Sequence, residues 1–294
     1  ISYHRLCAAV SEAGGLGVLA GGSMTTDEFR EQIRLVKGMT HKPFGVNVPI
    51  LRPHSDDLVS VSIEEEVNVV FTSAGNPKKF TQRIHDAGIK VIHVSPSVTL
   101  ASKAAGAKVD AVVVEGTEAG GHNGFEEITT MALVPQVVNV VDIPVIAAGG
   151  IADSRGFIAA LALGAKGIQM GTRFAATPEA QGHPNFKEAI LKANDAGTAI
   201  TGRGIGVTRC VRNKLTERIH EAERKGVSPK ELLELIGEGR ARRASNEGDV
   251  EEGTVYCGQI AGLIGEIKTA GEVIKEIIEG AEVLIKNLEK ASMR

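Results

Sequence analysis

Short apolar runs rich in β-branched residues alternate along the chain with longer amphipathic or alanine-rich segments. Because successive positions within each run are apolar, the runs are typical of parallel strands buried on both faces. The alternation of strand and helix indicates repeated βα units. The predicted strands are Leu16–Ala20, Phe44–Pro49, Val67–Thr72, Lys90–Val94, Ala111–Glu115, Val145–Ala148 and Gly167–Met170.

Helices are predicted between these strands, because polar N-cap residues precede the segments and glycine follows several of them. They span Ser2–Ala13, Thr26–Lys37, Lys78–Ala87, Ser97–Ala105 and Arg155–Leu163. After Phe174 the pattern changes to charged helical segments. These are Pro184–Asp195, Arg209–Gly226, Ser228–Arg243, Gly258–Ile267 and Thr269–Glu289.

The strand count decides the predicted architecture. A TIM (β/α)₈ barrel has eight strands, and the helix Ser2–Ala13 stands where a helix would follow a first strand. We therefore expect an α/β fold, a TIM barrel whose first strand is missing from this chain, with a small helical cap after the last strand. The expected parts are the barrel with strands 2–8 over residues 1–183, the cap over 184–257 and closing helices over 258–294. An open doubly wound sheet and a separate C-terminal domain are the alternatives.

Composition excludes several classes of protein. The net charge of −3 leaves no basic footprint for nucleic acid or an anionic membrane, and 3% aromatic residues cannot build a base-stacking surface. No apolar run reaches the roughly 18 residues that suggest a membrane span. The three scattered cysteines form neither a disulfide framework nor a metal-binding spacing, so we expect reduced thiols, no metal site and a cytoplasmic protein.

Two glycine loops follow the last two predicted strands. Gly149 and Gly150 come after one strand, and Gly171 and Thr172 come after the next. Bare glycine amides, a threonine hydroxyl and the helix N-terminus near Asp153 are suited to a phosphate group, and these are the barrel loops where phosphate commonly binds. The alternative is that the glycines only make tight βα turns.

A third loop, residues 115–124, contains four glycines and His122. Histidine is the usual proton donor or acceptor near neutral pH, so His122 is the candidate catalytic residue; His183, before a proline, is a weaker candidate. Asn47 interrupts an apolar run and is suited to hydrogen bonding the polar edge of a heterocycle, whereas Asn76 is explained by a helix start.

The residues of these loops resemble a known family. Glu118-Ala-Gly-Gly-His-Asn-Gly124, Pro144–Asp153, Gly167–Phe174 and Ala9–Gly17 closely resemble the superfamily of nitronate monooxygenases and enoyl-acyl-carrier-protein reductases II. These are FMN-dependent TIM-barrel enzymes, and the resemblance covers nearly the whole chain. It implies that Asn47 contacts the isoalloxazine ring and that His122 is catalytic. The other implied cofactor contacts are Gly149, Gly150, Gly171 and Thr172 at the phosphate, Ala119, Gly120 and Gly121 along the flavin, and Glu115 close to it.

Three segments favour the reductase branch: Glu115-Gly116, Ser73–Pro77 and Gly258–Ile264. Asn123 departs from the commoner reductase loop. We expect an enoyl-acyl-carrier-protein reductase that uses NADH or NADPH. The alternatives are a nitronate monooxygenase and a non-catalytic flavin-binding barrel. The resemblance further implies a homodimer, and it leaves a monovalent-cation requirement open.

A small-molecule or acyl-carrier-protein-bound substrate is expected, and an acidic carrier protein would need a basic surface. Charged helix faces that are simply solvated are the alternative explanation of the basic residues in question. These residues are Arg209, Arg212, Lys214, Arg240, Arg242 and Arg243.

Overall fold

A computed structural model describes residues 1–292 and places the seven predicted strands in one parallel sheet. The strands within residues 1–292 are β1 (Gly17–Ala20), β2 (Phe44–Pro49), β3 (Val69–Ser73), β4 (Lys90–Ser95), β5 (Ala111–Glu115), β6 (Gly121–His122), β7 (Val145–Ala148), β8 (Gly167–Gln169), β9 (Thr198–Thr201) and β10 (Thr208–Val211). The large sheet has the order β1-β2-β3-β4-β5-β7-β8, so its strands pair in chain order, while β6 lies in a separate sheet of the order β6-β10-β9. The sheet curls into an open TIM-like barrel, which confirms the predicted fold class.

Helices cover the outside of the sheet and build the C-terminal part. They are α1 (His4–Glu12), α2 (Thr26–Met39), α3 (Ser55–Glu64), α4 (Thr81–Asp86), α5 (Val98–Gly106), α6 (Thr130–Val138), α7 (Ser154–Ala162), α8 (Thr172–Ala175), α9 (Pro184–Lys192), α10 (Lys214–Arg224), α11 (Pro229–Ile236), α12 (Arg240–Glu247) and α13 (Ala270–Ser292). The long helix α13 packs against α7 and α1.

The strands are buried on both faces, as their apolar runs predict. Val70, Val91 and Val112 point outward and pack under the helices in the main core cluster. Phe71 and Val113 point inward and belong to a second cluster inside the barrel. Because side chains alternate between the two faces, the last inward position of each strand lies at the barrel mouth.

The sheet remains open between β1 and β8, since no pairing joins these two strands within residues 1–292. Val18 of β1 and Ile168 of β8 line the opening, and Ile277 of α13 covers it from outside. None of the helices in this described part of the chain has the length and apolar character that a membrane crossing requires.

The cap differs from its predicted form, because it contains strands as well as helices. Residues 208–211, expected to begin a helix at Arg209, instead form β10, which pairs antiparallel with β9 and β6. The predicted helix Ser228–Arg243 is split, since Gly237 and Gly239 adopt φ of 66° and 73° and a left-handed backbone ends a helix. The helices α3, α6 and the short α8 were not predicted from the sequence. The boundaries at 183/184 and 257/258 stay predictions.

Candidate active site

A large cavity of about 1530 Å³ opens at the carboxyl ends of the strands and continues into the gap between β1 and β8. In barrel enzymes this end of the sheet carries the active site. The cavity brings together all but one of the predicted site residues. Those that line it are Asn47, Glu115, Ala119, Gly120, His122, Gly149, Gly150, Gly171 and Thr172.

The loop after β5 is held by hydrogen bonds to its neighbours. Gly116 N–H donates to the carbonyl of Ala148 at 3.0 Å, which continues the pairing of β5 with β7. The Glu118 carboxylate accepts from the backbone N–H of Thr130 at 2.9 Å and from its hydroxyl at 3.1 Å. The carboxylate therefore ties the loop to the start of α6 and fixes where the following residues lie.

Gly120 packs directly against the backbone at the end of the cap, where Cys257 meets Gly258. A Cβ added at Gly120 would lie 2.6 Å from the carbonyl carbon of Cys257 and 2.7 Å from the nitrogen of Gly258. Only glycine permits this approach. The next residue, Gly121, is the predicted residue that does not line the cavity; it lies in β6, with a φ of 90°, and pairs with Arg209. The expected flavin contact of Gly121 stays a prediction.

His122 lies in β6, where its backbone pairs with Thr208 of β10. The side chain is exposed to the cavity, and its ring centroid lies 5.7 Å from that of Tyr256 at an interplanar angle of 55°. Burial by the surrounding protein, reinforced by the positive charge of Arg52, lowers the pKa of His122 below its usual value. The imidazole is therefore neutral at neutral pH.

Arg209 is buried rather than exposed, so its predicted place in a basic surface patch is wrong. Its Nε donates to the carbonyl of Thr117 at 2.7 Å, and its Nη1 donates to the hydroxyl of Thr198 at 3.1 Å. These bonds stabilise a guanidinium away from water. The side chain joins the His122 loop to β9.

The two predicted phosphate loops meet at the cavity wall. Gly149 and Gly150 adopt φ of 87° and 73°, a conformation that favours glycine. The Thr172 hydroxyl accepts from Gly258 N–H at 2.9 Å, so its own hydrogen is left to donate. The expected contribution of the α7 N-terminus is not supported, because the Asp153 carboxylate already accepts from Arg155 N–H there at 2.9 Å.

Asn47 and Glu115 occupy inward positions near the barrel mouth. The Asn47 amide donates over long distances, 3.3 Å to Ser73 Oγ and 3.5 Å to the carbonyl of Phe71, and so retains capacity for a ligand. Burial raises the pKa of the Glu115 carboxyl to about 7. A carboxyl with this pKa is partly protonated near neutral pH and can donate as well as accept a hydrogen bond.

The raised pKa of Glu115 makes stability pH-dependent. The folded protein binds this proton more tightly than the unfolded chain, in which the pKa of a glutamate has its usual value of 4.5. Stability is therefore lost as pH rises from 4.5 to about 7, by about 3 kcal/mol in total. Glu115→Gln should remove this loss. The free energy of unfolding of the variant, minus that of the parent protein, should therefore increase as pH rises from 4.5 to about 7. Urea unfolding measures it.

The exposed Glu282 on α13 provides the control for this measurement. Glu282→Gln makes the same exchange of carboxyl for amide at an exposed position outside the cavity, and so measures what the exchange alone does to the free energy of unfolding. Parallel pH profiles for the parent and Glu115→Gln would contradict the raised pKa of Glu115.

Two residues next to His122 were not predicted from the sequence. Tyr256 comes from the end of the predicted cap and Arg52 from the loop after β2; both line the cavity. Both residues are far from His122 in the sequence, so no local motif connects them with it. The one available signal was the rarity of tyrosine, since Tyr256 is one of only two in the chain. The second candidate, His183, does not belong to the site: it caps α9, where its ring accepts from Asn185 N–H at 3.1 Å.

Comparison with known proteins gives one family and several full-length relatives. The model of a family described as nitronate monooxygenase matches residues 1–280. The chain is 33% identical to a (3aS,4S,5R,7aS)-5-hydroxy-7a-methyl-1-oxo-octahydro-1H-indene-4-carboxyl-CoA dehydrogenase of Mycobacterium tuberculosis, over 99% of this chain and 92% of the relative. It is also 33% identical to a probable nitronate monooxygenase of Staphylococcus aureus, over 87% and 84% of the two chains.

Solved structures agree with these relatives. FabK from Thermotoga maritima is 45% identical, superimposes with a TM-score of 0.94 and covers 99% of this chain and 92% of its own. A nitroalkane oxidase from Streptomyces ansochromogenes is 29% identical with a TM-score of 0.85, over 98% and 94% of the two chains.

Proposed function

Because this chain belongs to the nitronate monooxygenase family, whose members are flavoprotein oxidoreductases, we propose that it is an FMN-dependent enoyl-thioester reductase. The observation that carries the proposal is the 45% identity to FabK, an enoyl-acyl-carrier-protein reductase II, across 99% of this chain. The relative from Mycobacterium tuberculosis, a carboxyl-CoA dehydrogenase, supports a thioester as the substrate class.

The cavity fits FMN at two places. At Gly171 an added Cβ would meet nothing within 4 Å, and at Gly150 the nearest atom would lie 3.5 Å away, so both backbones leave room for a phosphate group. The Thr172 hydroxyl can donate to the same group. At the other end, Asn47 has hydrogen-bonding capacity for the ring, and Ala119 and the backbone of Gly120 line the cavity without bulky side chains.

When bound, FMN supplies hydride chemistry between a reduced nicotinamide nucleotide and the β-carbon of a trans-2-enoyl thioester. The protein's part is to hold the thioester and stabilise its charge. His122 is neutral, so one ring nitrogen carries a hydrogen that can be donated to the thioester carbonyl oxygen as negative charge develops there. Arg52 adds a positive charge on the same side of the cavity.

The cap covers the acyl part of the substrate. Ala241, Arg242, Ser245 and Asn246 of α12 line the cavity, so this helix is placed to exclude water from the reacting atoms. The carrier of the thioester, acyl carrier protein or coenzyme A, remains outside. A homodimer is expected, and light scattering of the purified protein measures it.

Anaerobic rapid mixing tests the proposed function. Adding NADH or NADPH to the FMN-loaded enzyme should bleach the flavin, and crotonyl thioester should then restore its colour. Repeating the reaction with potassium replaced by choline tests for a monovalent-cation requirement. A flavin that bleaches and is not reoxidised by the thioester would refute the reductase proposal.

The second candidate is a nitronate monooxygenase, which the matching family model and the Staphylococcus aureus relative favour. It would use the same cofactor and His122, but electrons would pass from an alkyl nitronate to O₂ without a nicotinamide nucleotide. Turnover of propionate-3-nitronate with O₂, in a protein whose flavin NADH and NADPH leave oxidised, would select this alternative.

A further inference from the structure

The geometry around His122 points to a second catalytic residue: we propose that the phenol of Tyr256 supplies the proton that the reduced thioester gains at its α-carbon. The proposal rests on the enoyl-thioester reductase function proposed above. It assigns His122 and Tyr256 different tasks at the same substrate.

One strand fixes both residues. One edge of β10 pairs with β9, from Thr208 to Val211. The other edge pairs with His122 at Thr208 and bridges to Tyr256 at Cys210. The two side chains are therefore held along a single strand edge, which explains the 5.7 Å between their ring centroids. Both line the cavity where the thioester would lie.

His122 is poorly suited to deliver this proton. Burial and the charge of Arg52 keep its ring neutral, and a neutral imidazole gives up its remaining N–H proton far less readily than an imidazolium does. It can still donate a hydrogen bond to the carbonyl oxygen, as the proposed function requires. A different group must then supply the proton.

Tyr256 has the properties of that group. Its pKa is raised by burial and by Cys210 on β10, while Arg52 from the loop after β2 acts in the opposite direction. The phenol is therefore protonated throughout the neutral range, as a proton donor must be. The positive charge of Arg52, which lines the same cavity, stabilises the phenolate that remains after the proton has left.

The step balances with the groups named. Hydride adds to the β-carbon, and the electron pair of the carbon–carbon double bond shifts toward the carbonyl oxygen, where His122 donates its hydrogen bond. The O–H bond of Tyr256 breaks as a C–H bond forms at the α-carbon. The product is the saturated thioester, and water returns a proton to the phenolate.

Tyr256→Phe tests the proposal in the FMN-loaded enzyme, because phenylalanine keeps the ring contact with His122 and removes only the hydroxyl. Bleaching of the flavin by NADH or NADPH should be unchanged, whereas its reoxidation by crotonyl thioester should slow on the order of 10²-fold. Ser60→Ala is the control, because it also removes one hydroxyl, but at a residue of α3 that does not line the cavity; it should leave both steps as they are.

Tyrosine labelled with ¹³C at Cζ gives a readout other than activity. The chain has only two tyrosines, so two signals report the two phenols. The pKa of Tyr256 should lie above the usual value of a phenol, and Arg52→Gln should raise it further because a stabilising charge is removed. An unchanged Tyr256 titration in Arg52→Gln would contradict the assignment of Arg52 as the neighbour of the phenolate.

The outcomes separate the two proposals. If the parent enzyme is reoxidised by the thioester and Tyr256→Phe is reoxidised as fast, the reductase function stands and Tyr256 is not the proton donor. If the parent enzyme is not reoxidised at all, the function itself is wrong. If the thioester reoxidises the parent enzyme rapidly and Tyr256→Phe slowly, both the reductase function and the role of Tyr256 as proton donor are supported.

Discussion

His122→Ala should lower turnover of an enoyl thioester on the order of 10²-fold or more while FMN stays bound. The side chain lies on the cavity surface rather than in the core, so its removal leaves the fold intact. What is lost is the hydrogen bond to the carbonyl oxygen at the moment when charge develops. Steady-state kinetics with crotonyl thioester, together with the flavin content of the purified variant, measures the two effects separately.

His41→Ala is the matched control, because His41 is exposed in the loop between α2 and β2. Its turnover should equal that of the parent enzyme. If His122→Ala turns over the thioester at the parent rate, His122 has no part in the mechanism, whatever the identity of the substrate.

Two glycine substitutions should have different effects, one on the stability of the fold and the other on the affinity for FMN. Gly120→Ala brings a methyl group to 2.6 Å from the backbone of Cys257, which should cost about 1–3 kcal/mol of stability and displace the His122 loop. Gly171→Ala places its methyl group in open space, at a φ of −104° that alanine tolerates. It should leave the apoprotein's stability within about 0.5 kcal/mol of the parent and weaken FMN binding at least roughly tenfold.

Urea unfolding of the apoproteins and fluorescence titration with FMN measure the two quantities. Gly265 provides a control, because a Cβ added there meets nothing within 4 Å and the residue does not line the cavity. Gly265→Ala should bind FMN as the parent does. Equal FMN affinity in Gly171→Ala would place the phosphate elsewhere and contradict the proposed site.

The strands of the large sheet were predictable because burial on both faces leaves continuous apolar runs. The bounds of β2, β5 and β7 agree with the prediction residue for residue. The strands of the cap were missed for the opposite reason. β10, with Arg209 among Thr, Cys and Val, has no clear alternation, and its arginine is buried only because Thr117 and Thr198 satisfy it.

By itself, the sequence determined the curled parallel sheet and the glycine loops at its carboxyl ends, because both depend on local features: apolar runs, caps and residues without a Cβ. It also determined that His122 lies among them. Tertiary structure decided what surrounds His122. Tyr256 and Arg209 reach the site through the pairing of β10, whereas Arg52 comes from the loop after β2 in the large sheet. The protonation of His122 and Glu115 likewise depends on burial and neighbouring charge, which only the folded chain creates.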